Sequence, residues 1–167
     1  MTIAESLLPE FDQEMANTRK SLERLPDAQF DWRPHEKSFT LGGLVTHIVG
    51  MTGWVDYVMQ TDSLDYAPVG QEPMKETPLT SASEALARFD EGVAKARAAL
   101  AGASNLTMAK PWTLLAGGKE VFKMPRIAVM RGMIMNHLIH HRGQLTVYMR
   151  MSGATVPALY GPSADES

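Results

Sequence analysis

No cysteine occurs among the 167 residues, and that absence removes disulfides, thiolate metal sites and a cysteine nucleophile together. Any metal this chain holds must rest on histidine, carboxylate or water. No window approaches the roughly 18 uninterrupted apolar residues that a membrane span needs. Glu5 and Glu10 stand where a secretory signal would carry a basic patch followed by an apolar run, so the expected location is cytoplasmic. Carboxylates are also absent from a long stretch: none lies between Val121 and Pro162, which holds Lys123, Arg126, Arg131, Arg142 and Arg150. Residues 1–91 carry 16 acidic and 7 basic side chains, whereas residues 92–167 carry 3 acidic and 9 basic. The net charge of -3 argues against nonspecific nucleic-acid binding over the whole surface. Two readings of the asymmetry stand: complementary halves that pack together, or a positive field over a site for anions.

What remains is the composition of an ordinary globular protein, 44% hydrophobic and 21% charged, with a length that fits one domain. Four segments have helical periodicity. The first runs from about Ile3 to Arg24 with Thr2 and Glu5 as a capping box, although Pro9 suits a first turn better and moves the expected start towards Leu8. The second runs from a Ser38 or Thr40 cap to about Gln60, with Leu41, Leu44, Val45, Ile48 and Met51 facing inward. The third runs from a Ser81 or Ser83 cap to Gly102. The fourth opens at Pro125, ends at Gly153 before Pro157, and is apolar around much of its circumference, which marks it as central. Residues 61–79 hold Pro68, Gly70, Pro73 and Pro78 and read as a long crossover of the kind that lids a site. Trp112–Ala116 and Lys119–Lys123 flank Gly117-Gly118 and predict a small hairpin.

The chemistry-bearing pattern is Asn136-His-Leu-Ile-His-His-Arg-Gly-Gln144 together with His47. His137 and His141 are one helical turn apart, so both imidazoles face one point. A third, from His47 on another helix, completes three nitrogen ligands with a vacant fourth position. Leu138 occupies the place where the zincin motif carries glutamate. No Asp or Glu lies near either histidine segment apart from Asp56, so the carboxylate base of a metallopeptidase is missing. The competing reading is a polar core in which the histidines hydrogen-bond one another without metal.

These residues carry a resemblance. Ser38-Phe-Thr-Leu-Gly-Gly-Leu-Val-Thr-His47, the long crossover, Trp112 before a hairpin, His137 to Gln144, and the closing Gly153 with Pro157 resemble the DinB/YfiT-like superfamily over nearly the whole chain. The resemblance implies an all-α four-helix bundle with a long second connection and a small hairpin before the last helix. The domain would span residues 1–160, with a frayed tail at 161–167. It further implies a homodimer and a divalent metal, zinc or nickel, on His47, His137 and His141. Members are described as metal-dependent hydrolases, and related proteins are transferases or isomerases using low-molecular-weight thiols. No nucleic-acid or membrane partner is expected, and the substrate would be a small molecule.

Three neutral ligands leave a metal its full charge, which lowers the pKa of a bound water or thiol. The resulting nucleophile would attack a small electrophile. His140, turned about 100° from His141, is a candidate base. Gln144 is placed to hydrogen-bond a ligand imidazole, and Arg142 to hold an anionic group. Both also admit a purely structural reading. Trp54 and Met51 lie on the His47 side of their helix and can wall a pocket or fill the core. The alternative function is a non-catalytic bundle that binds a metal or small ligand.

Overall fold

Side-chain caps start three of the long helices. In a computed structural model describing residues 1–166, Thr2 Oγ1 accepts from the Glu5 amide while Glu5 accepts from the Thr2 amide. That capping box opens α1 (Ile3–Leu22). The third orphan donor, Ile3 N–H, is taken by Asn105 Oδ1 at 2.7 Å. The helix therefore starts five residues before Leu8, and Pro9 lies inside it on the exposed face. There the carbonyl of Glu5, which loses its amide partner, faces water. Thr40 caps α2 (Leu41–Gln60) by accepting from Gly43. Ser81 caps α3 (Ala82–Ala101) by accepting from Glu84.

After a short α4 (Asn105–Ala109) and the hairpin comes the last rod. It consists of α5 (Arg126–Ala128), a π-helical segment (Val129–Met135) and α6 (Asn136–Met151), which run on without a break in right-handed backbone. The sequence pattern had pointed to one plain α-helix here. Around the core, α1 lies beside α3, α3 beside α2, α2 beside α6 and α6 beside α1. Phe11, Leu44, Ile48, Phe89, Leu100, Leu138 and Leu145 meet in one buried cluster. Among the described residues, no helix is long and apolar enough to cross a membrane.

The fold is mostly helical but not all-α. β2 (Pro111–Ala116) and β3 (Lys119–Pro125) form the expected antiparallel hairpin. Its two-residue turn places Gly117 and Gly118 at φ +60° and +75°, the left-handed pair that a type I′ turn requires. A third strand was not expected: β1 (Ser63–Asp65), at the start of the crossover, pairs parallel to β2. Asp65 fixes the junction, accepting from the Gly117 amide at 3.1 Å and the Gly118 amide at 2.7 Å. At its far end the crossover is tied to α2 by Leu79 N–H donating to Thr46 Oγ1 at 2.9 Å. The segment between these ties is therefore held across the middle of α2.

Where the sequence suggests a frayed tail, Asp165 accepts from Arg150 and from the Val156 amide, and Glu166 pairs with Arg24. Ser167 lies outside the described residues.

Candidate metal centre

His47 sits on the half-buried flank of α2, one position from the Leu44, Val45 and Ile48 face. His137 and His141 project from the first two turns of α6. The packing of α2 against α6 brings the three rings together, with one ring nitrogen from each within 4.8 Å of the others. The His137 and His141 Nε2 atoms are 2.9 Å apart. The His47 ring lies edge-on to both, with centroids 5.2 Å from His137 and 4.7 Å from His141.

The other nitrogen of His141 is engaged. His141 Nδ1 is 2.6 Å from Gln144 Oε1. Assigned from that acceptor, Nδ1 carries the proton and Nε2 the lone pair. The Met133 backbone, one turn earlier in the π segment, pulls the His137 pKa upward. His137 Nε2 faces the His141 lone pair, a donor to it in the metal-free protein or a second nitrogen ligand to a cation. Burial, then the nearby His47, holds the His137 imidazole below its usual pKa. Burial chiefly, with His47 and the other imidazoles adding to it, depresses His141 against the opposing pull of Gln144. A charged imidazole is thus disfavoured on either side of the 2.9 Å contact. The donor set fits a divalent cation: tetrahedral zinc–imidazole bonds of about 2.0–2.1 Å put two nitrogens about 3.3 Å apart, a small opening of this pair.

A pocket of about 310 Å³ opens beside the cluster, lined by Met51, Trp54, Met133 and Ile134 together with His47 and His137. The crossover supplies its remaining wall through Met74, Lys75 and Glu76. Met51 is buried in the core as well, so both readings of that residue hold. On the other side, His141 and Gln144 border a shallower depression with Lys37, Ser38, Phe39 and Tyr148.

Two readings of the sequence are corrected by this geometry. Arg142 does not reach the site. One residue past His141 it points about 100° away, into the α1 interface, where its side chain is 2% exposed. It donates to Glu14 Oε2 at 2.6 Å, to the Glu14 carbonyl, to Thr18 and to Tyr160. Second, a carboxylate is present. Glu76 Oε2 lies 3.9 Å from His47 Nδ1, whereas Asp56 faces a separate groove with Arg88 and Lys95. No sequence spacing pointed to Glu76, which is 29 positions from His47 on an exposed loop. His140 is exposed and stands edge-on to His141 at 4.9 Å between centroids, outside the cluster. His35 makes a local bond, accepting from the Lys37 amide.

A trihistidine cluster between the second and last long helices, in a chain with a long second crossover, agrees with the sequence resemblance, and a DinB family model matches residues 1–167. The chain belongs to the DinB family. Over 163 residues this DinB protein is 28% identical to Uncharacterized protein YrdA of Bacillus subtilis (strain 168), covering 95% of this chain and 89% of that one. Its fold is similar to the crystal structure of a DinB-like protein from Bacillus cereus ATCC 10987, with a TM-score of 0.73 and 25% identity over 95% of this chain and 98% of that one. A DinB-like protein of Bacillus subtilis, YjoA, shares the fold at a TM-score of 0.70 and 20% identity, covering 95% and 99% of the two chains.

Proposed function

We propose that His47, His137 and His141 hold one divalent metal ion, zinc or nickel, with a coordination position open to a small electrophile that the protein hydrolyses or joins to a low-molecular-weight thiol. The observation that carries this reading is the convergence of one ring nitrogen from each of the three histidines, with the His137 and His141 Nε2 atoms 2.9 Å apart and His141 Nδ1 already held by Gln144. When bound, such an ion supplies a Lewis acid and lowers the pKa of a water or thiol brought to it. The protein's own residues do the rest. Gln144 holds the His141 ring in the tautomer with Nε2 free. Met51, Trp54, Met133 and Ile134 present an apolar surface that takes the carbon portion of a substrate and excludes water. His140, exposed beside His141, is the candidate to pass a proton to solvent. The same proposal includes the four-helix bundle of the DinB type and assembly as a homodimer.

The rival is a bundle that binds metal without catalysis. Closed structural sites recruit a fourth protein ligand, and among the described residues the cluster has three donors and no fourth. With a pocket alongside, that favours the open, catalytic form. Elemental mass spectrometry on untagged protein purified without chelator tests the metal. About one equivalent per chain is expected in wild type and little in His141→Ala. Wild-type protein that retains none after reconstitution and desalting would sink the proposal.

A further inference from the structure

We infer that Glu76 is a positioning residue for His47, carried to the site by the crossover and seated in a notch that Gly50 leaves on α2. This rests on the metal-centre reading above.

Three observations converge. First, among the described residues His47 is the one basic side chain within 4.0 Å of the Glu76 carboxylate, at 3.9 Å from Nδ1; neighbouring Lys75 pairs with Glu72 instead. That separation exceeds a direct N–H···O bond by less than an ångström. A single water would bridge it, as would a turn about the terminal carboxylate torsion, which is soft. Either link would make Nδ1 the protonated nitrogen and leave Nε2 for the centre, doing for His47 what Gln144 does for His141.

Second, His47, Gly50 and Trp54 form a half-buried stripe of α2 that the crossover borders. A methyl group at Gly50 would lie 1.8 Å from Glu76 Oε1 and 2.3 Å from its Cδ. The carboxylate therefore occupies the space of the missing side chain. Third, the loop that carries Glu76 is anchored at both ends, by Asp65 to the hairpin and by Leu79 to Thr46. These ties hold a polar residue of an otherwise exposed segment over one place on the helix.

The test measures zinc affinity by competition with a chromophoric chelator, and the visible spectrum of the cobalt(II) form. The proteins are wild type, Glu76→Ala, Glu76→Gln, Gly50→Ala and the Gly50→Ala/Glu76→Ala double variant. Removing a residue that orients a ligand histidine typically lowers metal affinity by about 10–100-fold, and that loss is expected for Glu76→Ala. Glu76→Gln, which keeps an acceptor, should lose less and leave the cobalt spectrum of wild type unchanged. Gly50→Ala should match Glu76→Ala by evicting the carboxylate, although alanine is the better helix former and keeps the fold. The double variant should be no weaker than either single one. Wild-type affinity in Glu76→Ala or in Gly50→Ala would overturn the inference while leaving the metal centre standing. A shifted cobalt spectrum in Glu76→Gln would also overturn it, since Glu76 would then be a ligand itself. Absence of metal from wild type would remove the centre and this inference together.

Discussion

Replacing Arg142 by alanine strands the Glu14 carboxylate in the α1–α6 interface, where the two side chains are 2% and 8% exposed. Breaking a buried pair from one side costs about 3–5 kcal/mol, so a loss of that order in denaturant unfolding is expected, with zinc affinity of the folded protein unchanged. Weak metal binding at full stability would return Arg142 to the site. The imidazoles make a second prediction. His137 and His141 are held below their usual pKa, first by burial, so the unfolded chain binds protons more readily than the folded one. Their contribution is intact above the unfolded value of about 6.5 and is lost as pH falls through the lowered folded values. Metal-free protein should therefore unfold at lower urea at pH 5.5 than at pH 7.5. A His137→Asn/His141→Asn protein should show a flatter profile, and an equally steep one would contradict the assignment. At this scale the trihistidine set was legible because a four-residue spacing fixes direction on a helix. The duty of Arg142 was not, because a 100° step leads to whatever helix lies on that side. Glu76 was invisible, since nothing local specifies what an exposed loop lies against.

Of the elements, the three cap-started helices were written in their first residues, and the hairpin in Gly117-Gly118. β1 and α4 were not, being three and five residues long and too short for a periodicity to emerge. The π segment is the instructive case. Arg126, Met130, Ile134, Leu138 and Arg142 are all buried, at intervals of four. Four residues of α-helix turn about 400°, so such a row drifts about 40° per step and about 160° over its length. The wider turns of Val129–Met135 absorb much of that drift and keep both ends of the rod facing the core. An apolar circumference hid the stretched period. Gly132 lies in this segment, exposed and against nothing, so deleting it removes no packing and lets the segment close into α-helical turns with both ends still facing the core. The expected result is retained zinc binding with a small change in the thermal midpoint; a deletion variant that loses zinc binding and unfolds well below wild type would refute this account of the segment.

Across the whole molecule, the charge asymmetry of the sequence resolves into cross-pairing. Arg97 meets Asp12, Arg131 meets Glu10, Arg142 meets Glu14 and Arg126 meets Asp62. These four cations of the second half are matched by carboxylates of the first, and the complementary-halves reading accounts for them. Exposed pairs of this kind contribute about 0–1 kcal/mol each, and the buried apolar cluster remains the main source of cohesion. The crossover stands apart from that cohesion: residues 69–78 are all exposed. Lys75, 74% exposed at its side chain, is the one lysine or arginine between Lys37 and Arg88. Trypsin therefore has a single target on the pocket wall, one bond before Glu76. Zinc should slow that cut in wild type but not in Glu76→Ala, as read by the appearance of the 1–75 and 76–167 fragments; equal protection in both would mean the loop closes without Glu76. A chain nicked there has His47 on one fragment and His137 with His141 on the other, so the centre would become a clasp between two separate polypeptides.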